Sequence, residues 1–286
     1  FDLNPIPFSI FGWPIHWYGI IIAAGFLLAV AYCTRASKRF GIREDDLLDL
    51  LFFAVPLGIL GARLYYIIFY LDLFRTADGS LDFAKMVRIW DGGLAIYGGV
   101  IAAALTLLVF CRKRRIPFLA FADLGVFGLL IGQAVGRWGN FVNVEAYGSE
   151  TTLPWRMGIT EVVHGVEVYK EVHPTFLYES LWNLVGLVLL ILIARNWRRF
   201  DGQMFYSYLA WYGVGRGMIE GLRTDSLYFF GTGIRVSQML GFASALVGIA
   251  LLVWNLKARR HTPEELWVNR SAAAKDAGED GHGGDR

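Results

Sequence analysis

Seven stretches of this chain are apolar over lengths that match a lipid bilayer, and they restrict what it can fold into more than any other feature. A helix needs about 20 apolar residues to cross a hydrocarbon layer roughly 30 Å thick. The stretches lie at about residues 17–34, 47–70, 93–111, 118–136, 176–194, 203–221 and 236–256, the second interrupted by Pro56 and Arg63. Only 18% of residues are charged, against about 25% in soluble domains. The expected fold is an all-α polytopic membrane protein of seven transmembrane helices.

Lys and Arg collect on the cytoplasmic side of short loops, so the basic runs orient the bundle. Arg35, Lys38, Arg39 and Arg43 follow span one, and residues 112–115 (RKRR) follow span three. Arg195, Arg198 and Arg199 follow span five, and Lys257, Arg259 and Arg260 follow span seven. Basic residues elsewhere are fewer and lie in longer stretches. This alternation predicts a periplasmic N-terminus and a cytoplasmic C-terminus. Span one has no positive stretch before it and is expected to be retained rather than cleaved as a signal peptide. Residues 1–260 read as the membrane catalytic domain and 261–286 as a disordered cytoplasmic tail, too poor in apolar residues to pack. The outer loop at about 137–173 reads as a small periplasmic head. β-Branched residues flanking His164-Gly165 suggest a hairpin there, with His164 an ordinary surface residue.

The formal charge of +2 gives no reason to expect a nucleic-acid partner. Cys33 and Cys111 are in neither CxxC nor metal-ligand spacing and sit at cytoplasmic span ends, which argues against a disulfide framework or a thiolate metal site. No metal or cofactor is expected, and motifs for nucleotide binding, zinc helices and serine elbows are missing.

Charged groups inside a bilayer cost about 2.5–3.5 kcal/mol each, so they should face the bundle interior and mark a site. In YGVGRGMIEGLR, residues Tyr212, Arg216 and Glu220 follow i, i+4, i+8 and share a helix face. Gly213, Gly217 and Gly221 repeat that spacing on the neighbouring face, where they would admit another backbone. Arg216 and Glu220 could simply neutralise each other. Alternatively Arg223 takes the Glu220 carboxylate and leaves Arg216 for an external anion. Span four ends in GRWGNFVNVEAYG, which gathers Arg137, Asn140, Asn143 and Glu145 at headgroup level. Arginine grips a phosphate by two parallel hydrogen bonds, although a snorkelling arginine and turn-forming asparagines would look the same singly. Further candidates are His16 and Tyr18 at the start of span one, Tyr97 with Gly98 and Gly99 in GGLAIYGGV, His173 in HPTFLYE, and Glu179, an intramembrane carboxylate in need of a partner. Asp49, Arg63 and Asp123 near span ends or a kink could be structural.

GRWGNFVNVEAYG, with IHWYG, GGLAIYGG, HPTFLYE and YGVGRGMIEGLRTD in order along residues 10–256, resembles the prolipoprotein diacylglyceryl transferase family of bacterial inner membranes. The resemblance implies an enzyme that moves the diacylglyceryl group of phosphatidylglycerol onto the thiol of the lipobox cysteine in prolipoprotein signal peptides. It implies Arg137 and Arg216 as the functional arginines, and Tyr18, Asn140, Asn143, Glu145, Tyr212 and Glu220 as residues lining the site. Many members carry a histidine where this chain has Tyr97, so an obligatory histidine base at that position is not implied.

Elementary chemistry agrees. Expelling a phosphate from the glyceryl carbon turns a singly charged diester into a more highly charged monoester, and cations aimed at the leaving group favour the transition state over the substrate. The thiol, with a pKa of about 8.5, needs a base or a positive field. Tyr97, Glu145 and His173 are candidate proton acceptors. A small secondary transporter with an intramembrane anion site is the alternative, and it predicts polar groups reaching both faces. An intramembrane protease or a nucleotide-alcohol phosphotransferase lacks its motifs here.

Overall fold

A computed structural model describes residues 7–10, 13–76, 78–163, 165–229 and 232–280. His164 falls outside them. A strand pair, β1 (Phe8–Ile10) and β2 (Trp13–Ile15), precedes α1 (Trp17–Ser37). There follow α2 (Glu44–Phe69), a short α3 (Phe83–Val87), α4 (Ile96–Arg114) and α5 (Phe118–Val142). The antiparallel strands β3 (Met157–Val163) and β4 (Val166–Val172) separate α5 from α6 (Thr175–Asn196), α7 (Gln203–Glu220), α8 (Val236–Val253) and α9 (Trp267–Asp280). Each of the seven stretches read from sequence is helical. Six of these helices are long and apolar enough to cross a membrane, so the chain is a polytopic, mostly helical membrane protein. The exception is α7, which carries Gln203, Arg216 and Glu220 and packs against α6 and α8.

The chain divides into two compact units, Ser37–Phe121 and the described parts of Phe1–Ala36 with Ala122–Arg286. In the first, α2 and α4 meet backbone to backbone. A Cβ on Gly61 would meet Ala102 and the Gly98 carbonyl, and one on Gly98 would meet the Gly61 carbonyl. Buried Arg63 then organises the segment that enters α4. Its guanidinium donates to the carbonyls of Lys85, Met86, Arg88, Gly92 and Gly93 at 2.6–3.0 Å. These bonds satisfy carbonyls that a non-helical segment leaves over, and Arg63 is structural here.

In the second unit α7 is held on both sides. Toward α6, Trp182 and Trp211 stack at 4.3 Å, and each indole N–H donates to the other's carbonyl at 2.9 Å. Gly186 and Gly215 make room for these rings, since a Cβ at either would strike an indole. Toward α8, Gly213 and Gly217 admit the Gly241–Ala245 turn, as their spacing predicts. The N-terminus of α7 is capped from α5: fully buried Asp123 accepts from the N–H groups of Gly202 and Phe205 at 2.8 and 2.9 Å. That use of a carboxylate suits both the orphan N–H groups and the positive end of the helix dipole. Gly215→Val should push Trp182 off its partner. Overpacking of this kind costs about 1–3 kcal/mol, and the thermal midpoint in detergent should fall by about 5 °C. An unchanged midpoint would show that the paired indoles do not hold α6 to α7.

In the segment after Thr262, α9 is tied at its start. Trp267 N–H donates to Asp201 Oδ2 at 2.9 Å, and His261 stacks on Phe200 at 4.8 Å. Local anchoring of this sort leaves no periodic trace in a polar, alanine-rich sequence.

Candidate active site

The site is built where α5 ends. Arg137 and Asn140 are three residues apart on one helix face, and Arg137 Nη1 donates to Asn140 Oδ1 at 3.3 Å. The helix stops in a turn in which Glu145 N–H bonds Asn140 O at 3.0 Å and Val144 N–H bonds Phe141 O at 3.2 Å. This is a Schellman closure with valine in the left-handed position where glycine is usual (φ 52°), and Ala146 is left-handed as well (φ 56°). Two residues in a conformation costly to L side chains bracket Glu145, and such local strain concentrates at functional sites. The Glu145 carboxylate accepts from Asn140 Nδ2 at 2.8 Å and from Asn143 Nδ2 at 3.4 Å.

The loop is fastened to α6. Thr175 donates its hydroxyl proton to the Ala146 carbonyl, and Gly148 N–H bonds His173 O at 3.0 Å. One turn into α6 stands Glu179, 5% exposed, on which three arginines converge. Arg137 Nη2 pairs with its Oε2, Arg216 Nη1 lies 3.2 Å from Oε1, and Arg223 Nη1 lies 3.8 Å from Oε1. Arg216 Nη2 also pairs with Glu220 Oε2 at 2.6 Å, and Arg223 grips Asp225 by two bonds of 2.9 and 2.7 Å. A continuous chain of polar contacts thus runs from exposed Glu145 through Asn140, Arg137, Glu179 and Arg216 to buried Glu220. Three cations, Arg137, Arg216 and Arg223, face four carboxylates, Glu145, Glu179, Glu220 and Asp225. Each guanidinium has five N–H donors, so Arg137 and Arg216 keep further donors for an anion.

Of the residues expected from sequence, Arg137, Asn140, Asn143, Glu145, Arg216 and Glu220 are therefore linked. Tyr18 lies against Gly139, where a Cβ would meet its ring at 2.7 Å. Tyr212 stacks on Tyr208 at 5.4 Å, one turn before Arg216. His173 Nδ1 is 3.2 Å from the Tyr178 hydroxyl. Tyr97, Gly98 and Gly99 belong to the other unit. There Tyr97 is partly exposed beside Tyr65, while Gly98 and Gly99 face Gly58, Gly61 and Ala62 of α2.

One alternative is corrected. Arg223 does not take Glu220 and leave Arg216 unpaired, because α7 ends at Glu220 and Arg223 falls in the following turn within a fork's reach of Asp225. Glu179 emerges as the hub. The signal for it was present as a lone carboxylate in an apolar run, but its partners came from two other helices. The Arg223 fork holds the Asp225 carboxyl below the usual aspartate range. A depressed carboxyl stabilises the fold above its unfolded pKa and loses that contribution as pH falls through the folded one. The stability gap between wild type and Asp225→Asn should be full at pH 5 and above and close only below the usual aspartate range. Equal melting of the two proteins at neutral pH would dismiss the fork as a fastening of this loop.

Comparison with known proteins gives a consistent result. The family described as prolipoprotein diacylglyceryl transferase matches residues 5–254. Phosphatidylglycerol–prolipoprotein diacylglyceryl transferase of Lactiplantibacillus plantarum is 40% identical over 281 residues, covering 96% of this chain and 95% of that protein. The protein of the same name from Lactobacillus delbrueckii subsp. bulgaricus is 44% identical over 96% of this chain and 97% of its own length. That from Finegoldia magna is 43% identical over 88% and 95%.

Proposed function

The chain belongs to the prolipoprotein diacylglyceryl transferase family, and from that premise we propose that it moves the diacylglyceryl group of phosphatidylglycerol onto the lipobox cysteine of prolipoproteins. This is the first step of bacterial lipoprotein maturation. The observation that carries the reading at the level of chemistry is the convergence of Arg137 and Arg216 on one buried carboxylate. In our proposal the phosphate of the lipid docks on these two guanidiniums. The substrate thiol attacks the glyceryl carbon, a C–S bond forms as the C–O bond to phosphate breaks, and glycerol phosphate departs. Charge grows on the leaving phosphate during that step, so fixed cations beside it lower the barrier.

The guanidinium N–H groups not spent on these carboxylates would favour the thiolate over the thiol by hydrogen bonding to it. Glu145 is our choice of proton acceptor, since it is exposed, bracketed by left-handed residues and connected through Asn140 to Arg137. Tyr97 and His173 are alternatives to it. Tyr18 and Tyr212 would border the lipid, with Asn143 steadying Glu145. We place the protein in the bacterial inner membrane with seven spans, an outer N-terminus, a cytoplasmic C-terminus and the strands β3 and β4 in a periplasmic head, as the basic loops indicate. The transporter reading is not favoured: the relatives are transferases by name.

The test is direct. Purified protein incubated with phosphatidylglycerol and a lipobox peptide should raise the peptide mass by one diacylglyceryl group, and a peptide with serine for the cysteine should gain nothing. No mass gain on the cysteine peptide would reject the function.

A further inference from the structure

Beyond the charged cluster, the chain from Ala146 to Thr151 runs alongside β4. His173 N–H bonds Ser149 O at 3.0 Å and Thr151 N–H bonds Glu171 O at 2.9 Å, with Glu150 opposite Val172. Past Thr151 the two part, since Leu153 N–H turns back to Thr151 Oγ1 at 3.4 Å and Pro154 has no N–H to give. Between them opens a groove of about 800 Å³, with residues 150–152 on one wall and residues 168–171 of β4 on the other. In a strand, successive residues turn their N–H and C=O to opposite neighbours. Lys170 and Val172 stand opposite Ile159 and Met157 of β3, while the Glu171 carbonyl faces Thr151. The same alternation turns the N–H and C=O of Tyr169 into the groove, an open edge of the kind that extended peptides join.

We infer that this groove receives an extended peptide as an added strand on β4, and that the occupant is the stretch of prolipoprotein following the modified cysteine. The identity of the occupant rests on the transferase reading. Its support is continuity: the segment that leaves Glu145 delivers its own far end to the groove six residues on, a span of at most about 20 Å at about 3.3 Å per extended residue. A peptide whose cysteine lies at the arginines reaches the groove with its fifth or sixth following residue. The groove walls mix polar Glu150, Thr151, Thr152 and Lys170 with Val168 and Tyr169, and the open main-chain groups of Tyr169 are what an added strand would pair with.

The experiment uses two series of lipobox peptides in detergent with the full-length protein, one reactive and one with serine for cysteine, ending two, four, six or eight residues past that position. Peptides reaching six or more should bind about tenfold tighter than those ending at two, in the unreactive series by fluorescence anisotropy and in the reactive series as a lower KM at unchanged kcat. N-methylation at alternate residues from the sixth onward should remove the gain, as should Tyr169→Pro, which deletes the N–H facing the groove, whereas Tyr169→Ala, which removes the ring but keeps that N–H, should retain it. Equal affinity at all lengths, or a gain indifferent to N-methylation, overturns the inference while leaving transferase activity standing. Absence of transfer to every cysteine peptide would instead sink the functional reading, with the serine series still deciding whether the groove binds peptide.

Discussion

Arg137→Lys is expected to lower kcat/KM for diacylglyceryl transfer by two to three orders of magnitude while the protein still inserts and folds. The substitution keeps the charge and the ion pair to Glu179, so the bundle should lose little stability. What it removes is the planar fork. Arg137 spends one edge on Glu179 and another on Asn140, and its remaining N–H groups have fixed directions relative to those two anchors. A lysine ammonium is a point charge on a flexible stem that cannot reproduce two parallel bonds to a phosphate. Loss of one donor aimed at developing negative charge costs about 10²–10³ in rate in acyl-transfer sites, where charge likewise grows on an oxygen, and loss of the connection to Asn140 would also release Glu145. Arg216→Lys should behave alike, because Arg216 is likewise aimed by two carboxylates. The measurement is the initial rate of peptide lipidation, with the thermal midpoint as the control for folding. Full activity in Arg137→Lys would reject two-pronged phosphate binding by this residue.

Much of this arrangement was legible in the amino-acid order. The apolar stretches are helices, because a run of about 20 apolar residues has one stable form in lipid. The i, i+4, i+8 spacing of Tyr212, Arg216 and Glu220 puts them on one face, and Gly213 and Gly217 admit α8 beside it. Pairing between helices was less accessible. Nothing in the vicinity of Glu179 says that its partners come from α5 and α7, since only three-dimensional packing brings residues 137, 179 and 216 together. Gly98 and Gly99 illustrate a different ambiguity: paired glycines beside a tyrosine read equally well as a ligand cradle or as a helix contact, and the order of residues does not reveal that they meet α2. The strain at Val144 and Ala146 was invisible too, because residues without a glycine's freedom are not where a left-handed turn is sought.

The hub position of Glu179 leads to the second large effect, which tests positioning separately from charge. Glu179→Gln preserves shape but withdraws one negative charge from between Arg137 and Arg216. If the field alone mattered, the variant would be faster, because the site becomes more cationic where negative charge develops. Geometry opposes this. A carboxylate offers an oxygen to each arginine, Oε2 to Arg137 and Oε1 to Arg216, whereas an amide has one acceptor oxygen and repels the second guanidinium with its N–H groups. One arginine must swing away, and displacement of a catalytic group by about 1 Å costs about 10²-fold. We therefore expect kcat to fall by about 100-fold while glycerol phosphate, as an added product inhibitor, binds about tenfold tighter to the more positive site, a change of about 1.4 kcal/mol. Breaking a buried ion pair from one side also costs about 3–5 kcal/mol, so a lowered thermal midpoint should accompany the kinetic change. A purely structural role for Glu179 would lower the midpoint and the yield of active protein but leave the inhibition constant of the surviving fraction untouched. Tighter product binding with slower turnover is the combination that only an arginine-positioning carboxylate produces, and an unchanged inhibition constant would remove Glu179 from the site.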